Sequence, residues 1–242
     1  MKVGIIFIGT FKYLDFLPNY YEAAEHFLFP EIEKQYYVFT DGDIGGDIPD
    51  NMTVIPTEHL PFPYITLYRF DIIRKHFDAI ESDCDYVLFM DADTRVVDKI
   101  EFDEIFVKGK PLTGVHHPCH ALKMEPHTKF PGELETNPAS LACSKPGDDF
   151  TYYWQGCLWG GKTKQVKTLV ETLDHNTKVD EANGIIAVWH DESHLNRYFC
   201  DRADKVNTLS PSYAYPEVFQ AFMSDYPPKI VHLAKENSVY QV

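Results

Sequence analysis

The run Tyr86-Val-Leu-Phe-Met, closed by Asp91-Ala-Asp93, limits most tightly what this chain can fold into. A continuous apolar run of that length reads as a buried central strand, the kind found in open α/β sheets. Further strand-like runs stand at Val3–Ile8, Tyr36–Thr40, Met52–Ile55, Leu112–Val115, Val206–Leu209 and Lys229–Leu233. Helical patterns fall between them. Tyr20–Leu28 is one, and Leu67–Ile80 is another, with Leu67, Phe70, Ile73, Phe77 and Ile80 spaced by three and four. Gly161–Leu173 and Glu192–Phe199 complete the set. Strand and helix alternate at the start, which argues for a parallel-type open sheet with helices on its faces. No repeat or linker interrupts the 242 residues, so one domain over 1–242 is expected. Pro118–Asp149, rich in Pro, His, Lys, Gly and Asn, reads as long loops over the sheet, a mobile lid.

A formal charge of −15 argues against a nucleic-acid backbone or an anionic membrane as partner, because both need clustered Lys and Arg. A polyanionic ligand in so acidic a field needs a metal cation or a few local basic groups to offset it, and the balance favours a metal-bridged phosphate over a basic pocket. The aromatic share of 14% supplies flat apolar faces for stacking on sugar or base rings. Five scattered cysteines, none in a Cys-x-x-Cys pair, read as reduced thiols. The opening apolar run is too short for a signal peptide or a membrane anchor, so a cytoplasmic protein without a membrane span is expected.

Two constellations carry chemistry. Asp91 and Asp93 emerge where a central strand ends, which is where open α/β sheets bind ligands. Two carboxylates there are placed to hold a hard divalent cation, Mn²⁺ or alternatively Mg²⁺, with a diphosphate completing its coordination. The plainer reading is a strand-ending turn, in which Asp is common. The second constellation is Trp189-His-Asp-Glu192-Ser-His-Leu-Asn196. Leu195, Tyr198 and Phe199 form a helical apolar face, so Asp191 and Glu192 fall at the helix N-terminus, where carboxylates are favoured. A carboxylate behind Trp189 suits a nucleophile or a charge that stabilises an oxocarbenium-like centre. Asp191 and Glu192 as simple caps, and His190 as a core histidine, are the competing readings. A zinc hydrolase fits worse, because Asp rather than Glu follows the first histidine.

In this order and separation, the two motifs resemble glycosyltransferase family 6, the family of the blood-group A and B transferases. The likeness extends to Phe11-Lys-Tyr13, Ala23–Phe27, Tyr36-Tyr-Val-Phe-Thr-Asp41, Glu135-Thr-Asn-Pro-Ala-Ser140 and Leu209-Ser-Pro-Ser-Tyr213. The resemblance implies a glycosyltransferase-A fold, a Rossmann-like open mixed sheet flanked by helices. It also implies retaining, metal-dependent transfer of galactose or N-acetylgalactosamine from a UDP-sugar donor to a glycan acceptor, with an α1,3 linkage. By position, Ile8, Gly9, Thr10 and Tyr13 would line the uracil and ribose site, and Arg69 would contact donor sugar or phosphate. Asp91 and Asp93 would hold Mn²⁺. Glu192 would face the anomeric carbon, and Asp191 would bond donor-sugar hydroxyls. His117 and Trp189 would contact the acceptor, and Lys235 would reach the diphosphate.

Gln155, Gly156 and Cys157 fall where the family selects its donor sugar, and Gln155 leaves galactose, N-acetylgalactosamine and glucose all open. Pro216 stands where mammalian members carry an acceptor-binding Asp, with Glu217 next to it to take that role. A UDP-sugar hydrolase and a catalytically inactive sugar-nucleotide-binding module are the alternative functions. Keeping Asp91, Asp93, Asp191 and Glu192 together speaks against the inactive module.

Overall fold

The computed structural model describes residues 1–124 and 134–240. Part of the expected 118–149 lid, residues 125–133, lies outside the described residues.

Val3, Ile5 and Phe7 pack on one side of the first strand, β1 (Lys2–Ile8), while Ile6 packs on the other. This two-sided burial recurs along β4 (Tyr86–Met90), where Leu88 and Met90 face one core and Val87 and Phe89 the opposite one. An uninterrupted apolar run is what such a strand requires. Around them lie β2 (Glu33–Thr40), β3 (Met52–Pro56), β6 (Leu112–His116), β7 (Trp154–Lys162) and β8 (Val206–Leu209), in the spatial order β3-β2-β1-β4-β7-β6-β8. Strands β1 to β4 pair in parallel, as do β6 and β8, whereas β7 runs antiparallel to both β4 and β6. The sheet is therefore mixed and open, as the family resemblance implies, with β7 as the antiparallel strand. A small second sheet joins β5 (Thr94–Val96), β10 (Ile230–His232) and β9 (Tyr215–Pro216) in the order β5-β10-β9.

Helix α1 (Leu17–Phe27) covers one face through Leu17, Tyr20 and Ala24. The other face is covered by α7 (Thr163–Ala182) and α8 (His190–Cys200), with the segment expected as one helix over 67–80. That segment is three short pieces instead: α2 (Tyr64–Leu67), α3 (Arg69–Arg74) and α4 (Phe77–Asp83). Tyr68 and His76 leave helical geometry, with ψ of 12° and 5°. Phe70, Ile73, Phe77 and Ile80 stay buried across the breaks, so the spacing reports the buried face while the axis bends. Short helices α5 (Phe102–Ile105), α6 (Pro118–Ala121) and α9 (Asn237–Tyr240) lie in the connections and the tail. Among the described residues, no helix is long and apolar enough to cross a membrane.

Candidate active site

The carboxyl ends of β1 and β4 lie side by side, and α8 begins over the same edge, so sequence-distant groups meet there. A cavity of about 230 Å³ opens at this edge, lined by Ile8, Thr10, Tyr13, Arg69, Asp91 and Asp93 among others. Gly9 sits behind it, donating its N–H to the Phe39 carbonyl at 2.9 Å. The lining also includes His59, whose Nδ1 is 2.9 Å from Thr10 Oγ1, and Tyr240 from the tail.

Arg69 links the two acidic pairs. One guanidinium nitrogen lies 3.0 Å from Asp91 Oδ1, and another lies 3.0 Å from Asp191 Oδ2 while donating to the Gly156 carbonyl at 2.8 Å. The group lies 4.5 Å from the centre of the Phe89 ring, a cation–π contact that suits its burial. Burial works against its charge, yet Asp191 and Asp91 hold the guanidinium pKa above its ordinary value.

Glu192 is fixed through both oxygens. Oε2 accepts the Gly156 N–H at 2.7 Å and Oε1 accepts the Tyr153 hydroxyl at 2.8 Å. Burial pushes its carboxyl up to about 7, against the opposing effect of these two hydrogen bonds. Burial likewise raises Asp191 to about 6, opposed by Arg69. Both carboxylates occupy the first turn of α8, as the sequence pattern predicts; their partners are Arg69, Gly156 and Tyr153, and neither carboxylate lines the cavity itself.

Asp93 is buried, and His232 and Lys235 offset that burial so far that its carboxyl falls well below the usual range. Its Oδ1 lies 3.1 Å from His232 Nε2, and Lys235 contacts Oδ2. The pairing of β10 with β5 sets His232 opposite Thr94 and so brings the tail to Asp93. Ligand atoms of Asp91, Asp93 and His232 all lie within 4.8 Å of one another. Two hard carboxylates and an imidazole so close together fit a divalent ion such as Mn²⁺. His232 is a candidate ligand that the sequence reading does not name; its one signal there is a histidine within the strand-like run 229–233.

A second groove, about 350 Å³, opens on the far side of Lys235, with His117, Gln155, Pro216 and Ala234 in its walls. His117 Nε2 and Gln155 Oε1 are buried there with no hydrogen-bond partner among the described residues. Burial pushes His117 down to about 3, with the charges of His116 and His120 acting in the same direction. Cys157, expected beside Gln155 as a donor-selecting residue, is packed in the core and lines neither cavity. Trp189 also lines neither cavity, and its indole nitrogen is buried with no partner among the described residues. Glu217 is turned to the tail, accepting the Ala234 N–H at 2.7 Å.

The family profile for glycosyltransferase family 6 matches residues 1–239. The chain is 34% identical over 221 residues to the O-antigen biosynthesis glycosyltransferase WbnI of Escherichia coli, covering 90% of each. It is 27% identical over 225 residues to the mouse globoside alpha-1,3-N-acetylgalactosaminyltransferase 1, covering 90% of this chain and 62% of that one. Against the rat histo-blood group ABO system transferase 2 it is 29% identical over 227 residues, with 89% and 64% covered. The chain thus spans less than two thirds of these mammalian relatives. With a mixed sheet flanked by helices and two acidic pairs meeting at its edge, the chain belongs to glycosyltransferase family 6 and is a glycosyltransferase.

Proposed function

We propose that the protein moves galactose or N-acetylgalactosamine, with retention, from a UDP-sugar to a sugar acceptor, forming an α1,3 linkage in a metal-dependent reaction. The observation that carries this reading is the bridge formed by Arg69 between Asp91 and Asp191. It holds the leaving-group side of the site beside the carboxylate that would meet the sugar.

Ile8, Thr10 and Tyr13, with Gly9 behind them, take the uracil and ribose. Asp91, Asp93 and His232 hold Mn²⁺, with Mg²⁺ as the alternative. The ion supplies charge neutralisation for the departing diphosphate. Arg69 adds a fixed positive charge at the same place, already desolvated and needing no reorganisation. Glu192 faces the anomeric carbon, as nucleophile or as the negative charge opposite an oxocarbenium-like centre, while the Gly156 N–H and the Tyr153 hydroxyl hold it in one rotamer. Asp191, oriented by Arg69, bonds donor hydroxyls. The anomeric C–O bond to the diphosphate breaks, the bond to the acceptor oxygen forms on the same face, and the proton of the acceptor hydroxyl passes to the departing diphosphate.

The groove walled by His117 and Gln155 supports transfer over plain hydrolysis, because buried polar atoms without partners suit sugar hydroxyls. Gln155, in the wall of this groove beside Gly156, selects the donor sugar. The names of the relatives support galactose-type chemistry: two of them are a globoside alpha-1,3-N-acetylgalactosaminyltransferase and an ABO system transferase. The test is a donor panel of UDP-galactose, UDP-GalNAc, UDP-glucose and UDP-GlcNAc with Mn²⁺, scored by UDP release with and without sugar acceptors. Preference for the first two, stimulated by acceptor, is expected. Release that no acceptor stimulates would favour the hydrolase.

A further inference from the structure

Asp191 and Glu192 directly follow a residue held in the left-handed region. His190 has φ of 48°, a conformation that a residue with a Cβ adopts only where its surroundings hold it there. The backbone N–H groups of the turn before α8 find two kinds of partner. His190 donates to the Ala187 carbonyl and Trp189 to Ser193 Oγ, both at 2.9 Å and both local. Val188 donates instead to Glu135 Oε2 at 2.9 Å, on a segment 53 residues earlier in the chain. Glu135 is itself braced. Its Oε1 accepts the Asn137 N–H at 2.7 Å, and its carbonyl accepts the Ser144 N–H at 2.7 Å and the Ser144 hydroxyl at 2.8 Å. The segment is tied to α7 as well, where Asp180 accepts the Ser140 hydroxyl at 2.5 Å and the Leu141 N–H at 2.9 Å. A carboxylate acceptor makes the stronger kind of hydrogen bond, and this one meets the turn from a fixed position.

We infer that Glu135 is a positioning residue for the transfer: it clamps the turn that keeps His190 left-handed, and so sets how Asp191 and Glu192 meet Arg69, Gly156 and Tyr153. The inference rests on the reading above of Glu192 as the group that faces the anomeric carbon. If His190 relaxed to the right-handed region, the peptide before Asp191 would swing and both carboxylates would turn with it. The contact of Asp191 with Arg69 at 3.0 Å, and the Glu192 bonds to Gly156 and Tyr153 at 2.7 and 2.8 Å, leave no slack for that movement. A misplacement of about 1 Å is enough to slow a reaction that depends on alignment. Glu135 lines neither the donor cavity nor the groove beyond Lys235, so it acts on the chemical step and leaves nucleotide binding alone.

A double-mutant cycle in the full chain tests this, with Glu135→Ala made in wild type and in His190→Gly. Steady-state kinetics use UDP-galactose or UDP-GalNAc, whichever the donor panel favours, with turnover counted per UDP-binding site. In wild type, Glu135→Ala should lower kcat on the order of tenfold while KM for the UDP-sugar stays within about twofold. Glycine takes φ of 48° without strain, so the turn in His190→Gly no longer needs the clamp. There the same substitution should cost less than about threefold relative to its own background. Ser140→Ala removes another anchor of the segment but keeps the Leu141 N–H on Asp180, and should leave kcat within about twofold of wild type. Unchanged kcat in Glu135→Ala, an equal loss in both backgrounds, the same loss in Ser140→Ala, or a raised KM at constant kcat overturns the clamp and leaves the reading of Glu192 standing. Glu192→Gln, assayed alongside, separates the two: if it turns over like wild type, that reading fails and the clamp falls with it.

Discussion

Gly156 and Glu192 are joined by a backbone hydrogen bond, the glycine N–H donating to Oε2 across 2.7 Å. The carbonyl of the same glycine accepts from Arg69, so one residue of β7 orients both the carboxylate and the cation of the site. Glu192→Gln keeps the side chain's shape and removes its charge. Turnover should fall by at least about 10²-fold, while affinity for UDP changes only a few-fold. Stopped assays of UDP release together with UDP titration calorimetry check both halves.

Two glycines of β7 should respond differently to alanine. A Cβ at Gly160 would stand 2.4 Å from the Val87 carbonyl, so the β4 backbone itself would have to move. Gly160→Ala should cost about 3 kcal/mol or more in denaturant unfolding. At Gly156 the nearest atoms, Asp191 Oδ2 and Glu192 Cβ, are 3.4 Å away. Gly156→Ala should therefore fold with stability within about 1 kcal/mol of wild type and show its effect on turnover.

The raised carboxyl of Glu192 sets a pH dependence. It must be ionised to act, so kcat/KM should fall as pH drops through about 7. The Tyr153 hydroxyl stabilises the ionised form, and Tyr153→Phe should shift this limb upward by roughly half to one pH unit. Stability follows the opposite trend. Asp191 and Glu192 both have folded values above the ordinary carboxyl range, so their contribution is favourable at low pH and is lost as pH rises through about 6 and 7. A kcat/KM profile and Tm against pH separate the two effects.

Arg69 cannot be replaced without loss. Arg69→Met leaves Asp91 and Asp191 without their shared partner in a buried site, and should destabilise the chain by about 3 kcal/mol. Arg69→Lys keeps the charge but cannot span both carboxylates and the Gly156 carbonyl at once. It should fold and lose turnover by about 10-fold or more. Thermal unfolding and steady-state kinetics of the pair test this.

The sequence makes β4 and the start of α8 legible because each carries an unambiguous local pattern: an unbroken apolar run, and carboxylates ahead of an apolar helical face. Strand β7 is not legible. Its Trp-Gln-Gly-Cys-Leu-Trp-Gly-Gly reads as a specificity segment, because glycines that weaken strand propensity are needed there for close approach to β4 and β6. His232 escapes for a different reason. It reaches Asp93 only because β10 pairs with the three-residue β5, a tertiary choice that no local pattern announces. The breaks at Tyr68 and His76 are hidden because Phe70, Ile73, Phe77 and Ile80 keep one buried face across them.

The most direct test of the account follows the anomeric proton of the product by ¹H NMR, using UDP-galactose or UDP-GalNAc, a sugar acceptor and purified chain. One arm contains Mn²⁺ and the other EDTA. An α-linked product that forms with Mn²⁺ and is absent with EDTA is the predicted result. A β-linked product, or an α-linked product formed equally fast in EDTA, would contradict it.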